Sequence, residues 1–230
     1  MQDQQGNGII VQGQGYDLSE ISTPRVVSEI KKYSTLEDAI GFCFQIEDHA
    51  FYVLIFPTAS KGWAYDLKTK QWAEWNWIDD NGNFLRPRAN CYMFVNGVGL
   101  VGDWENGRLL RLDIDTYTDD DQPLVWVRTF PHMVDSNNKV TYLNFQADIE
   151  PGTIEDQEDD PQISLSWSDD KGKTYGNPVL QSIGRTGEYR VVPKWSRLGQ
   201  ARDRVFKLSC SANAQQSLNG AFIDLKAAKH

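Results

Sequence analysis

The chain has 230 residues, of which 40% are hydrophobic, 24% charged and 12% aromatic, and its net charge is −9. That composition suits one large β domain or two small ones, and it excludes a generally basic nucleic-acid coat, whose phosphate contacts need a surplus of Lys and Arg. No apolar run approaches the ~18 residues of a membrane helix, and the longest, Ala50 to Phe56, is strand-sized.

Met1 to Gly8 is polar and holds no apolar signal core, so synthesis in the cytoplasm is expected. Gly8 to Tyr16 reads as a strand. Ser22 and Thr23 are cap residues, Pro24 stands where a first helical residue tolerates a missing donor, and Val26, Val27 and Ile30 recur at helical spacing. One short helix is therefore predicted near residues 23–33, with Lys31 and Lys32 in its last turn, where cations suit the dipole. A further helical turn is expected from Ser34 or Thr35.

Short strands dominate from there. Ile40 to Ile46 and Phe51 to Phe56 are apolar and aromatic, with Glu47-Asp48-His49-Ala50 as the turn between them. Trp63 to Leu67 and Gln71 to Trp75 complete four consecutive antiparallel strands. A second set follows at Cys91 to Val95, Gly99 to Asp103, Arg108 to Asp113 and Leu124 to Thr129, with Asn96-Gly97 and Asn106-Gly107 as hairpin-turn dipeptides. The repeat of about fifty residues is that of a kelch-like propeller blade. In the last third, Val140 to Ile149, Gln162 to Trp167, Glu188 to Val192 and Val205 to Ser209 alternate with a period of two, and Ala221 to Leu225 closes the set. The fold class expected is mainly β. Propeller-type blades and the helix occupy residues 1–138, and a small antiparallel β-sandwich occupies residues 139–230.

Charge divides along similar lines. Residues 161–230 hold eleven Lys/Arg and five Asp/Glu, a net +6, which leaves −15 for residues 1–160. The acidic, proline-bracketed stretch Glu150 to Pro161 between them reads as a solvated loop. Such end-to-end polarity suits head-to-tail assembly. The three cysteines, Cys43, Cys91 and Cys210, are far apart and odd in number, which fits reduced thiols and allows at most one disulfide.

Catalytic motifs are sparse. The histidines are His49, His132 and the terminal His230, and no His/Cys set has zinc spacing. Gly172-Lys173-Thr174 lacks the first glycine of a phosphate loop, since Trp167 stands there, and no Gly-rich dinucleotide fingerprint is complete. The cluster Asp113, Asp115, Asp119, Asp120 and Asp121 has the oxygen ligands calcium favours but not the EF-hand spacing, and a solvated loop explains it as well. No cofactor and no metal site are assigned. The sharpest local motif is the aspartate box Ser168, Asp170, Gly172, Thr174 and Tyr175. In it the Asp170 carboxylate accepts turn amides, Gly172 takes a positive φ and Tyr175 covers the loop, a structural turn and not a catalytic one. Arg185, Arg190, Lys194, Arg197, Arg202 and Arg204 form a basic set that is either a contact surface or a solvated sheet face. The eight tryptophans read as blade and core packing before sugar platforms.

Several strings stand in a familiar order: Ile21-Ser-Thr-Pro24; Phe51 to Thr58 followed by Trp63-Ala-Tyr-Asp-Leu67; Leu100-Val-Gly-Asp103 with Asn106-Gly107; Leu112 to Asp119; Leu165 to Asp170; and Trp195-Ser-Arg197 through Arg202-Asp-Arg204-Val-Phe206. In this order the chain resembles the packaged-DNA stabilisation proteins of short-tailed bacteriophages, the tail hub below the portal. The resemblance implies a non-enzymatic virion protein of the tail, built on a β-propeller followed by a β-rich C-terminal part. It implies a ring of six copies that docks against the portal adaptor and the tail-needle proteins, closes the channel and meets packaged DNA only indirectly, with no membrane involved. Two other readings come from the motifs: a sialidase-like propeller glycosidase, from the aspartate box, and a carbohydrate-binding β module, from the tryptophans.

Overall fold

The computed structural model describes residues 8–79, 81–150, 160–185, 187–188, 190–214 and 217–227. Most of the expected acidic loop, together with Asp80, Tyr189 and His230, lies outside the described residues. No helix among them is long and apolar enough to cross a membrane. The chain forms two compact units that divide between Ile114 and Asp115. The boundary expected at 138/139 therefore falls inside the second unit.

The first unit opens with a ribbon, β1 (Val11–Gln14) paired with β2 (Asp17–Glu20). The single strand expected over Gly8 to Tyr16 is broken because Gly15 takes φ +65°, a value open to glycine, and the chain reverses there. Helix α1 (Pro24–Ile30) begins as its sequence predicts: the Thr23 hydroxyl accepts the Val26 amide at 3.4 Å, and Val26 and Ile30 are buried. It ends sooner than expected. Lys31 is already the C-cap, so the two lysines lie at and past the helix end. The segment from Ser34 forms turns and no second helix.

Strands β3 (Ile40–Ile46), β4 (His49–Phe56), β5 (Lys61–Asp66) and β6 (Gln71–Glu74) form a four-stranded antiparallel sheet in sequence order. The β3–β4 turn is only Glu47-Asp48. Glu47 takes φ +51°, which lets Ile46 pair with His49 and puts His49 and Ala50 into the strand. Strict alternation gives the sheet two apolar faces. On one, Leu54, Phe56 and Trp63 pack with Ile10, Val26 and Ile30, and two tryptophan N–H groups are satisfied: Trp63 donates to the Tyr33 hydroxyl at 3.1 Å and Trp72 to the Ile21 carbonyl at 2.7 Å. On the other, Phe44 stacks on Phe51 at 5.0 Å and approaches Tyr92 at 5.9 Å. Tyr92 lies on β9 (Ala89–Val95), which the short pair β7 (Trp77–Ile78) and β8 (Phe84–Leu85) precedes.

With β10 (Val98–Asp103) and β11 (Leu109–Leu112), β9 makes a second sheet of three strands. The fourth strand expected for it, Leu124 to Thr129, is used elsewhere. The described residues of the first unit thus form a four-stranded and a three-stranded sheet besides two short two-stranded pairs, and no closed propeller.

The second unit begins with the short pair β12 (Thr118–Asp119) and β13 (Gln122–Pro123). Strand β14 (Trp126–Thr129) then pairs with Lys207–Cys210, some eighty residues on. This pairing moves the domain boundary forward. One sheet holds β14, β15 (Met133–Val134), β17 (Gln162–Ser168), β18 (Val179–Ser182) and β21 (Asp203–Cys210). The other holds β16 (Val140–Glu150), β19 (Lys194–Ser196), β20 (Gln200–Ala201) and β22 (Ser217–Ala227). Their inward residues meet in one core. Phe145 on β16 lies 5.0 Å from Phe206 on β21 and 6.0 Å from Trp195, with Ile163, Leu165 and Leu208 fully buried around them. No strand forms over the described part of Glu188 to Val192, where the chain turns on a Glu188 amide to Arg185 carbonyl bond; the strand there is Lys194–Ser196.

Candidate functional site

The aspartate box lies at the end of β17, where the chain leaves the sheet. Ser168 is almost fully buried and its hydroxyl donates to Asp170 Oδ1 at 2.6 Å while accepting the Gly172 amide at 2.8 Å. Asp170 Oδ1 also accepts the amides of Lys173 and Thr174, at 3.0 and 2.9 Å, and Oδ2 accepts the Thr174 hydroxyl at 2.6 Å. These bonds, led by the Ser168 and Thr174 hydroxyls, hold the Asp170 carboxyl far below the ordinary carboxylate range. Lys171 and Gly172 both take positive φ, +66° and +82°, to make the turn. The Lys207 ammonium rides 4.1 Å over the Tyr175 ring and fastens the loop to β21. Every acceptor on Asp170 faces its own loop, so this carboxylate is occupied in shaping the turn.

The residue beside the box has a larger role. Asp169 receives both Nε and Nη2 of Arg204, at 2.6 and 2.7 Å, in a bidentate pair. Arg204 is only 2% exposed. Its guanidinium lies 4.5 Å from the Tyr142 ring centroid and within 6 Å of the Trp167 and Phe206 centroids, and its Nη1 donates to the Leu198 carbonyl. Arg204 was expected in the basic contact set, but burial removes it from any surface. Arg185, Arg190, Lys194, Arg197 and Arg202 are exposed. Lys194 lies in β19, Arg197 occupies a positive-φ turn whose amide reaches the Leu143 carbonyl, and Arg202 donates to the Asn137 carbonyl.

In the first unit the chemistry concentrates at Arg86 and Arg88, which the sequence reading passed over. They flank the fully buried Pro87 and are 7% and 9% exposed. Arg88 donates to Asp103 at 3.2 Å and Glu105 at 3.1 Å and stacks 4.1 Å over Trp77. Arg86 stacks 4.8 Å over Trp104 and donates to Asn90 Oδ1 at 2.6 Å. Burial lowers its guanidinium from the ordinary value, and the Asp38 carboxylate opposes the shift. The available signal was Arg-Pro-Arg between two aromatic strands. Asp103 also turns the chain, accepting the Glu105 amide at 2.8 Å, as Asp66 does for Lys68 at 2.9 Å. At Asp66 burial works against the charge, but the bonds from Lys68, Thr69 and His49 prevail and hold the carboxyl down to about 2.

Among the described residues no group of three or more His, Cys, Asp or Glu side chains is placed to hold a metal, the Asp113 to Asp121 stretch included. None of the three cysteines is in a disulfide. The first unit contains an open pocket of about 210 Å³ lined by Ile9, Ile10, Ile30, Leu36, Tyr52 and Phe56 among others, with no acidic side chain in its lining.

Residues 125–226 match the family model described as Bacteriophage P22 Gp10, beta-sandwich. The match opens one residue before β14 and ends one residue short of the end of β22, so it encloses the two-sheet unit from β14 onward. No curated protein matches the chain. The Gp10-like sandwich supports a bacteriophage structural protein. The Arg204–Asp169 pair, buried at its arginine end only, and the aspartate-box turn both brace that sandwich.

Proposed function

We propose that this chain is a structural virion component of a phage tail, a hub that closes the portal channel and holds packaged DNA in the head. The observation that carries the reading is the match over residues 125–226, which coincides with a complete, densely packed two-sheet unit. The side chains richest in chemical potential support it. Asp170, Asp169 and Arg204 are consumed in shaping the sandwich, and Arg88, Asp103 and Glu105 serve the blade-type sheets in the same way.

On this reading the hub acts by shape. A ring of copies needs two unlike surfaces per chain, repeated about an axis. The −9 net charge disfavours trapping of DNA during its passage. The portal adaptor and the tail needle are the proposed partners. The test is a phage lysate made without the gene. Purified wild-type particles should contain the chain, and particles lacking it should package genomes and then lose them to added nuclease. Particles that lack the protein yet retain nuclease-resistant DNA and infect normally would overturn the reading.

A further inference from the structure

The second sheet of the first unit is unlike the first in one respect: one of its faces is apolar and bare. Strand register places Cys91, Met93 and Val95 of β9, Leu100 of β10 and Leu109 of β11 on a single face, with Arg111 at its margin. Met93 is 49%, Val95 39% and Leu109 65% exposed. The opposite face carries Tyr92 and the buried Val101, with Phe94 exposed at its far end, and Tyr92 meets Phe44 of the first sheet. A contiguous apolar face of this kind marks an interaction surface.

The same unit carries a second unpartnered apolar element, the β1–β2 ribbon. Tyr16 at its tip is fully exposed and Leu18 is 63% exposed. Leu18 lies across Gly13, its cross-strand partner, so this side of the ribbon is a small apolar wedge. A two-stranded ribbon is marginal in water unless something packs on it.

Charge matches the two surfaces. The ribbon carries Asp17 and Glu20 and no Lys or Arg. On the sheet, the arginines stand outward of the acids they pair with: Arg111 is 65% exposed against 20% for Asp113, and Arg108 is 51% exposed against 0% for Asp103. An acidic apolar wedge thus meets an apolar face edged by two exposed arginines, each paired with an acid less exposed than itself.

We infer that the bare face of β9–β11 receives the β1–β2 ribbon of a second copy of this chain, with Tyr16 and Leu18 seated on Met93 and Leu109 and Asp17 beside Arg111. The two surfaces are unlike, so the contact is head-to-tail, and repetition yields a ring or an open filament. The inference rests on the hub reading for its role, since that reading needs a self-contact, and adds the surfaces that make it.

Sedimentation velocity of the full chain from low to high micromolar concentration tests it. The wild type should show concentration-dependent self-association. Tyr16→Ser and, separately, Met93→Lys should weaken it about tenfold or more, the scale of losing a buried anchor, with unchanged circular dichroism. Asp17→Arg should weaken association, Arg111→Asp should do the same, and the double variant should recover part of the loss. A chain that stays monomeric throughout, or association that survives Tyr16→Ser, overturns the contact. Particle composition separates the two readings. A monomeric chain still found in virions removes this contact alone, whereas virions without the chain remove the hub reading even if the purified protein self-associates.

Discussion

The two units solve the same problem, burying the faces of antiparallel sheets, and they do so to different degrees. In the second unit two sheets face each other, and Phe145, Phe206, Tyr142 and Trp195 interlock between them, each at most 2% exposed. In the first, the four-stranded sheet is covered on one face by α1 and on the other by its neighbour, but the three-stranded sheet leaves Met93 and Leu109 in the open. Sheets that pack in pairs close in two layers, whereas sheets stacked in a series that does not close on itself leave a last face.

The strongest way to break this comparison is to open the closed core. Phe206→Ala should destabilise the second unit by about 3–5 kcal/mol and leave the first unit's unfolding where it was, as hydrogen exchange read separately over each unit will show. Next comes the Arg204–Asp169 pair, whose two ends are unequally buried at 2% and 47% side-chain exposure. Asp169→Asn takes the negative charge from a buried guanidinium that keeps the Leu198 carbonyl, and should cost about 1–3 kcal/mol. Arg204→Met leaves a carboxylate that reaches solvent and should cost clearly less. Equal losses in urea titrations would mean that the charge is not what the pair contributes. In the first unit, Thr23→Ala removes the α1 cap and should cost about 1 kcal/mol, visible as faster exchange of the Val26 amide.

The smallest effect is set by pH. The folded Asp170 carboxyl titrates well below its unfolded value of about 3.9. Its contribution is therefore complete above that pH and fades as the pH falls through and below it. Asp170→Asn should remove this acid-side slope from the stability profile of the second unit and loosen residues 168–175 locally. A profile that keeps its slope in the variant would assign the effect to other carboxylates.

Much of this was legible in the amino-acid order because the deciding forces are local. Apolar and aromatic composition gave Ile40 to Ile46 its bounds, Thr23-Pro24 marked the helix start, and the spacing from Ser168 to Tyr175 sufficed for the turn. What escaped was long-range or cooperative. Nothing near Trp126 in the chain reveals that it pairs with Cys210, so β14 was placed with the wrong sheet. Arg204 looked like surface because its carboxylate stands 35 positions away, and only folding brings Asp169 and three rings around it. Arg86 and Arg88 were overlooked for the same reason: arginine enters an interior when partners are assembled for it, and Asp103 and Trp104 are assembled by a hairpin.

Arg204 also bears on how the sandwich would fail under load. It belongs to β21 in one layer, yet its guanidinium lies on Tyr142 of β16 and donates to the Leu198 carbonyl in the other. A force that slides one layer past the other must therefore tear the carbonyl bond and the Tyr142 ring contact together, while Asp169, in the same layer as Arg204, holds the guanidinium in place. Such a fastening resists until it releases all at once, so the layers should part in a single abrupt rupture instead of creeping.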